Sequence, residues 1–159
     1  MGSLFDESMR IFRIALNEYC DVSGEGAKRY GGRWNLPGYP ALYGSGTVAT
    51  CLLERLTVDS ELFASDRYIM YSVMEFELDD NRIFVPNTDD LPEDWDAIPP
   101  MRVSQEYGTQ MLKSGILCFG VPSIVDRTSL NYVINPSASD FSNVNYKVFP
   151  LDLDLRIVR

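Results

Sequence analysis

The densest group of chemically useful side chains is Arg29-Tyr30-Gly31-Gly32-Arg33-Trp34-Asn35. Glycines let a backbone approach a ligand closely. An arginine presents a planar fork that matches a phosphate or a carboxylate. Trp34 can stack beside a base or anchor a core. The same run reads equally as an ordinary turn with an aromatic anchor and a salt-bridged arginine, since it is neither a GxGxxG nor a Walker loop. Glu54, one residue past Leu53, lies beside an apolar helical stripe. Alone, it reads as a solvent-edge residue paired with Arg55 or Arg33. Tyr43 suits a core. Ser123 ends a strand, where a hydroxyl can reach a cleft or make a turn, and Asn131 and Asn135-Pro136 suit turns. Gly44-Ser45-Gly46-Thr47 can offer amides to an anion or cap a helix.

Missing residue types narrow the chemistry further. The 159 residues include no histidine. That excludes Ser-His-Asp triads, Cys-His dyads and His-ligated zinc. Acid–base work falls to Asp, Glu, Tyr, Lys or water. Cys20, Cys51 and Cys118 form no CxxC, and Asp79-Asp80 and Asp89-Asp90 have no EF-hand spacing, so no metal is expected. With 14 basic and 23 acidic residues the net charge is −9, which argues against nucleic-acid binding and favours a basic protein partner. No apolar run is long enough for a membrane span, and the start has no signal-peptide pattern. A cytoplasmic protein is expected, with residues 1–8 as a leader and 9–159 as one domain.

These residues need elements to position them. Residues 9–16 (MRIFRIAL) predict an opening strand, and the glycine-rich stretch 20–40, with Pro37 and Pro40, predicts a long loop. A short strand at 41–43 leads to a helix whose apolar stripe is Val48, Ala49, Leu52, Leu53 and Leu56, capped by Ser45 or Thr47. Residues 68–78 predict the longest strand, with Met70, Met74, Phe76 and Leu78 on one face and Glu75 and Glu77 on the other. Ser104 is expected to cap a helix that ends before Gly115. Strands follow at 116–121, 131–134, 144–149 and 152–158. Strands that outnumber helices without alternating with them predict an α+β fold.

Taken in order, these pieces resemble the RES domain. They are Arg13 in RIFRIA, Gly31-Gly32-Arg33-Trp34-Asn35, Ala41-Leu42-Tyr43, Leu53-Glu54, Val121-Pro122-Ser123, Asn131 and Asn135-Pro136. The Arg, Glu and Ser that give that family its name match Arg33, Glu54 and Ser123, with Tyr43 as the accompanying tyrosine. The resemblance runs from about Met9 to Arg156. One departure stands out: the family commonly carries a His soon after the Asn-Pro, where this chain has Ser137-Ala138-Ser139-Asp140.

The resemblance implies a single domain similar to the diphtheria-toxin-like ADP-ribosyltransferases, with mostly antiparallel sheets and a few helices. It implies a toxin of a bacterial toxin–antitoxin pair, held inactive by an Xre-type antitoxin, that uses NAD as co-substrate without a metal. The expected activity is cleavage of the nicotinamide–ribose bond and transfer of ADP-ribose to a protein acceptor, such as a phosphoribosyl-pyrophosphate synthetase. The alternatives are a NAD glycohydrolase or phosphorylase and, from another class, a non-catalytic nucleotide- or partner-binding module. By resemblance Glu54 is the catalytic carboxylate, and Arg33 clamps the phosphate or ribose side. Tyr43 stacks on nicotinamide, and Ser123 hydrogen-bonds in the pocket. Arg13, Arg29 and Asn135 complete the expected NAD-binding set.

Overall fold

The computed structural model describes residues 7–159. Residues 1–6 of the expected leader lie outside the described residues, and the first strand, β1 (Ser8–Leu16), begins at Ser8. Alternating side chains along β1 feed both faces of a sheet. β1 pairs along its whole length with β3 (Tyr71–Asp79), from Ser8 opposite Asp79 to Leu16 opposite Tyr71. β7 (Asn145–Pro150) adds the outer edge beside β3. On the other flank lie β2 (Leu42–Ser45), β6 (Leu130–Ile134), β5 (Cys118–Pro122) and the two-residue β4 (Ile83–Phe84). Together they form one curled seven-stranded sheet in the order β4-β5-β6-β2-β1-β3-β7. Among the described residues only the β4–β5 pair is parallel. With α1 (Glu25–Tyr30), α2 (Val48–Leu56) and α3 (Arg102–Lys113) as the α-helices of the described residues, the domain is α+β as expected, and those residues form one sheet in place of several.

The sheet is joined by little pairing in its middle. β1 and β2 meet at one register pair, Phe12 with Ser45, and diverge beyond it. Gly44 permits that one close approach, because a Cβ there would stand 2.6 Å from the Phe12 carbonyl oxygen. At the divergence the Cys51 thiol donates to the Phe12 carbonyl, and Arg13 Nη1 donates to the Tyr43 carbonyl at 3.1 Å. Backbone groups that lose a ladder partner are thus paired by side chains.

Both faces of the sheet are covered. Ile11, Met74, Phe76, Leu78 and Ile134 pack on one side, while Ile14, Tyr71 and Val73 pack with Cys51 of α2 on the other. Glu75 and Glu77 therefore share a face with buried Tyr71 and Val73 rather than forming a wholly polar one. Met70 is 51% exposed in a 3-10 turn and does not join the strand.

Three other expectations need correction. The stretch 20–40 contains α1, because Gly24 and Gly31, both at positive φ, punctuate its ends rather than dissolve it. α3 starts at Arg102 with Met101 as N-cap; Ser104 lies inside it, fully buried, and donates to the Met101 carbonyl at 2.9 Å. Residues 152–158 form no strand. Leu151 and Leu153 are buried against the cluster beneath α2 while Asp152 and Asp154 face out, so the alternation is real but no partner strand lies alongside.

Candidate active site

α2 carries the central carboxylate. Thr47, in an extended conformation, accepts from the Thr50 amide at 3.1 Å and so caps the helix start. Cys51 faces the core, where burial pushes its thiol up to about 11. One turn on, Glu54 reaches the ends of β5 and β6. Its Oε1 accepts from Ser123 Oγ at 2.7 Å and from Asn131 Nδ2 at 2.6 Å. Asn131 Oδ1 in turn accepts from Ser45 Oγ at 2.7 Å. Ser123 is fully buried, and its Oγ accepts from the Asp126 amide at 3.2 Å. Both donors converge on one oxygen, and among the described residues no hydrogen bond reaches Oε2. The carboxylate is thus held in place with one oxygen left to work.

Glu54 and Asn131 line two cavities. One, about 170 Å³, also contains Arg13, Tyr43, Ser45 and Arg55. The other, also about 170 Å³, contains Arg33, Trp34, Thr57, Ile98 and Val125. A larger cleft of about 580 Å³ shares Arg13 and Arg55 with the first cavity and has Arg29 on its wall.

The sequence-expected residues fall into three groups. Glu54 and Ser123 touch directly, with Arg33 and Tyr43 each lining a cavity that Glu54 also lines. Arg33 Nη1 donates to the carbonyls of Trp95 and Ala97 at 2.9 and 2.7 Å. Burial lowers the pKa of its guanidinium, against the pull of Glu54 and Asp96. The Tyr43 hydroxyl donates to Asn35 Oδ1 at 2.6 Å and accepts from the Trp34 amide at 3.0 Å. Burial pushes its phenol pKa up, so the group stays protonated. Its hydroxyl is thus committed to Asn35 and the Trp34 amide.

Arg13 stands at the opening between β1 and β2. Burial and then repulsion from Arg55 lower its pKa, and its Nε is buried without a partner. Arg29 is largely exposed on α1, 3.9 Å from Glu25. Asn135 is not brought to the cavities. It is buried, and its Nδ2 donates to the Leu112 and Ile116 carbonyls at 3.1 and 2.9 Å, tying the end of α3 to the sheet. Trp34 stands in an aromatic nest with Trp95, Tyr107 and Phe119, at centroid distances of 6.1, 5.9 and 6.5 Å. Gly108 allows that packing, because a Cβ there would clash at 1.9 Å with the Trp34 carbonyl oxygen.

The sequence reading placed no side chain of Asn131, Ser45 or Arg55 in the site: Asn131 entered as a piece of the resemblance, Ser45 in a loop that could cap a helix or offer amides, and Arg55 as a pairing partner of Glu54. The first two are ordinary polar residues on strands, and only the β2–β6 register, Ser45 opposite Asn131, brings them together. Arg55 carried one signal, its adjacency to Glu54. Among the described residues no group of His, Cys, Asp and Glu could hold a metal ion, and no helix is long and apolar enough to cross a membrane.

Fold and site together define a single-domain α+β protein whose cleft is built around one fixed carboxylate, flanked by arginines and a tyrosine. The RES domain family matches residues 10–156, and the chain belongs to it. It is 32% identical to "Toxin Res" of Photorhabdus laumondii over 158 residues, covering 95% of this chain and 98% of that one. It is 33% identical to the "Prs ADP-ribosylating toxin" of a Sphingobium species over 148 residues, covering 89% of each. Among solved structures, that of the M. tuberculosis MbcT-MbcA toxin–antitoxin complex contains a chain with the same fold. The TM-score is 0.72 at 18% identity, over 92% of this chain and 85% of that one.

Proposed function

We propose that this chain is a NAD-consuming toxin that cleaves the nicotinamide–ribose bond and transfers ADP-ribose to a protein acceptor. The observation that carries the reading is the Glu54 carboxylate, fixed by Ser123 and Asn131 between cavities that also hold Tyr43, Arg13 and Arg33. Bond cleavage passes through an oxocarbenium-like cation, and nicotinamide leaves neutral, so no general acid is needed. A chain without histidine can therefore do this chemistry. Glu54 stabilises the developing positive charge through its unpartnered oxygen and orients the ribose or the nucleophile. The Tyr43 ring packs on nicotinamide, and Arg33 holds the ribose side. Ser123 acts by fixing the carboxylate. The fold is then a diphtheria-toxin-like ADP-ribosyltransferase fold.

The protein acceptor is supported by the relative named as a Prs ADP-ribosylating toxin, which makes a phosphoribosyl-pyrophosphate synthetase the first acceptor to test. A second reading is hydrolysis or phosphorolysis of NAD, with water or phosphate as the nucleophile in the Arg33 cavity that Glu54 also lines. Restraint by an antitoxin of the Xre type fits the toxin–antitoxin complex that shares the fold. We place its inhibitory segment across the Arg33–Tyr43–Glu54 cleft.

The test adds labelled NAD to the chain in a cell lysate. Label in a protein band establishes the transferase, whereas free ADP-ribose or ADP-ribose phosphate establishes the second reading. No release of nicotinamide with any acceptor leaves a non-catalytic binding module. Hydrogen exchange on an antitoxin complex tests the inhibition, and protection confined to a surface remote from residues 29–54 and Ser123 would sink it.

A further inference from the structure

We propose that Arg13 and Arg55 together form a phosphate-binding site where the small Glu54 cavity meets the larger cleft. The proposal rests on the NAD reading above and adds Arg55, a residue it did not use. Three observations carry it. Both arginines line both spaces, and they are the only residues, among the described ones, that do. Neither makes an ion pair among the described residues, although acids outnumber bases 23 to 14 in this chain. Arg13 keeps a buried Nε with no hydrogen-bond partner among the described residues.

Arg55 is oriented without being neutralised. Its Nε lies 3.4 Å from the Tyr71 hydroxyl, and its guanidinium stands 5.1 Å from the Tyr71 ring centroid. The Tyr71 hydroxyl is itself committed to the Asp59 carboxylate. The two guanidinium groups line the same two spaces, and the Arg55 charge opposes that of the buried Arg13. An anion between them offsets that repulsion and gains charge-assisted hydrogen bonds. A phosphate group is the chemistry that fits, since it can accept from two arginine forks at once.

The arrangement also orients a dinucleotide. The ribose to be cut lies by Glu54 and Tyr43, the pyrophosphate lies between Arg13 and Arg55, and the distal nucleoside fills the 580 Å³ cleft. Arg33, in the other cavity, is then left to the ribose and acceptor side. A free phosphate ion is the other source of the same chemistry.

The experiment compares wild type with Arg55→Gln and Arg55→Lys by calorimetry, using ADP-ribose, adenosine and inorganic phosphate as probes. ADP-ribose carries the pyrophosphate and has no nicotinamide bond to cut. Arg55→Gln should weaken ADP-ribose binding about 10- to 100-fold and change adenosine binding less than twofold, with Arg55→Lys in between. Loss of inorganic phosphate binding at unchanged ADP-ribose affinity supports the site and assigns it to free phosphate. Unchanged binding of both anions overturns the proposal. Equal losses for ADP-ribose and adenosine, with a lowered Tm, also overturn it, since they mark Arg55 as structural. Nicotinamide release by wild type is measured separately; its absence sinks the NAD reading, while the phosphate arm still decides the site.

Discussion

Two walls flank the Glu54 carboxylate, and their arginines are satisfied in different ways. On one wall Arg33 gives Nη1 to two backbone carbonyls, and the motif around it is knitted to itself. Asn35 binds the carbonyls of Ala27, Leu36 and Tyr39 and the hydroxyl of Tyr43, while Trp34 fills an aromatic nest. On the other wall Arg13 keeps an unpartnered Nε and Arg55 has no counter-ion among the described residues. The crowded Gly-Gly-Arg-Trp-Asn run thus meets much of its own hydrogen-bonding demand. The sparse Arg13–Arg55 wall leaves demand unmet, and unmet demand is what a ligand can fill.

The largest effect should come where the walls meet. Glu54→Gln keeps the shape and an acceptor oxygen for Ser123 and Asn131 but removes the charge. We expect nicotinamide release to fall roughly 10²–10³-fold, about 3–4 kcal/mol of transition-state stabilisation. Tm should change by less than about 3 °C, because the donors to Oε1 keep a partner. A variant that still arrests growth at wild-type expression would remove Glu54 from its catalytic role, and with it the reason for comparing the walls.

Asn35→Ala breaks the self-knitted wall. Asn35 is fully buried and its amide holds three carbonyls and a hydroxyl. Buried acceptors left without donors cost about 1–3 kcal/mol each when water cannot reach them, and partial relaxation brings the expected total to about 3 kcal/mol. Urea unfolding should record that loss. A cost below about 1 kcal/mol would mean that the wall is not held together by this residue.

This contrast explains what could be read in the sequence. β1, α2 with a cap at Ser45 or Thr47, and β5 and β6 as separate strands follow from local periodicity and capping, which need no knowledge of neighbours. α1 was hidden because Gly24, Gly26 and Gly31 crowd a six-residue helix, so composition argued for a loop where two of the glycines mark its ends. The false strand at 152–158 has the right alternation, yet a strand needs a partner edge, and pairing is a long-range fact. The site shows the same division. Glu54, Arg33, Tyr43 and Ser123 were legible as an ordered set that resembles a family. The partners that fix or complement them, Asn131, Ser45 and Arg55, meet only through the strand order and the opening between β1 and β2.

Tyr43→Phe separates the ring from the hydroxyl. The hydroxyl joins Asn35 to the Trp34 amide, so its loss should cost about 1–2 kcal/mol of stability. Its burial-raised pKa excludes it as a base near neutrality. The stacking ring remains, so nicotinamide release should fall less than tenfold. A collapse in rate at near wild-type stability would place the hydroxyl in the chemistry and make the knitted wall a reactive one.

Thr47→Ala should have the smallest effect and tests whether the two walls share a rigid support. Glu54 faces both small cavities and Arg55 reaches the larger cleft, and both stand on α2, whose first turn Thr47 caps. Losing the acceptor for the Thr50 amide should cost about 1 kcal/mol. The fraying belongs to the first turn. Further along, Cys51 is pinned to the Phe12 carbonyl, and Glu54 is pinned to Ser123 and Asn131 from outside the helix. Stability should therefore fall while nicotinamide release and ADP-ribose affinity stay within about twofold. Equal losses in both would show that the cap sets the position of Glu54 and Arg55 together. The walls would then be two faces of one mobile helix rather than two independently built surfaces.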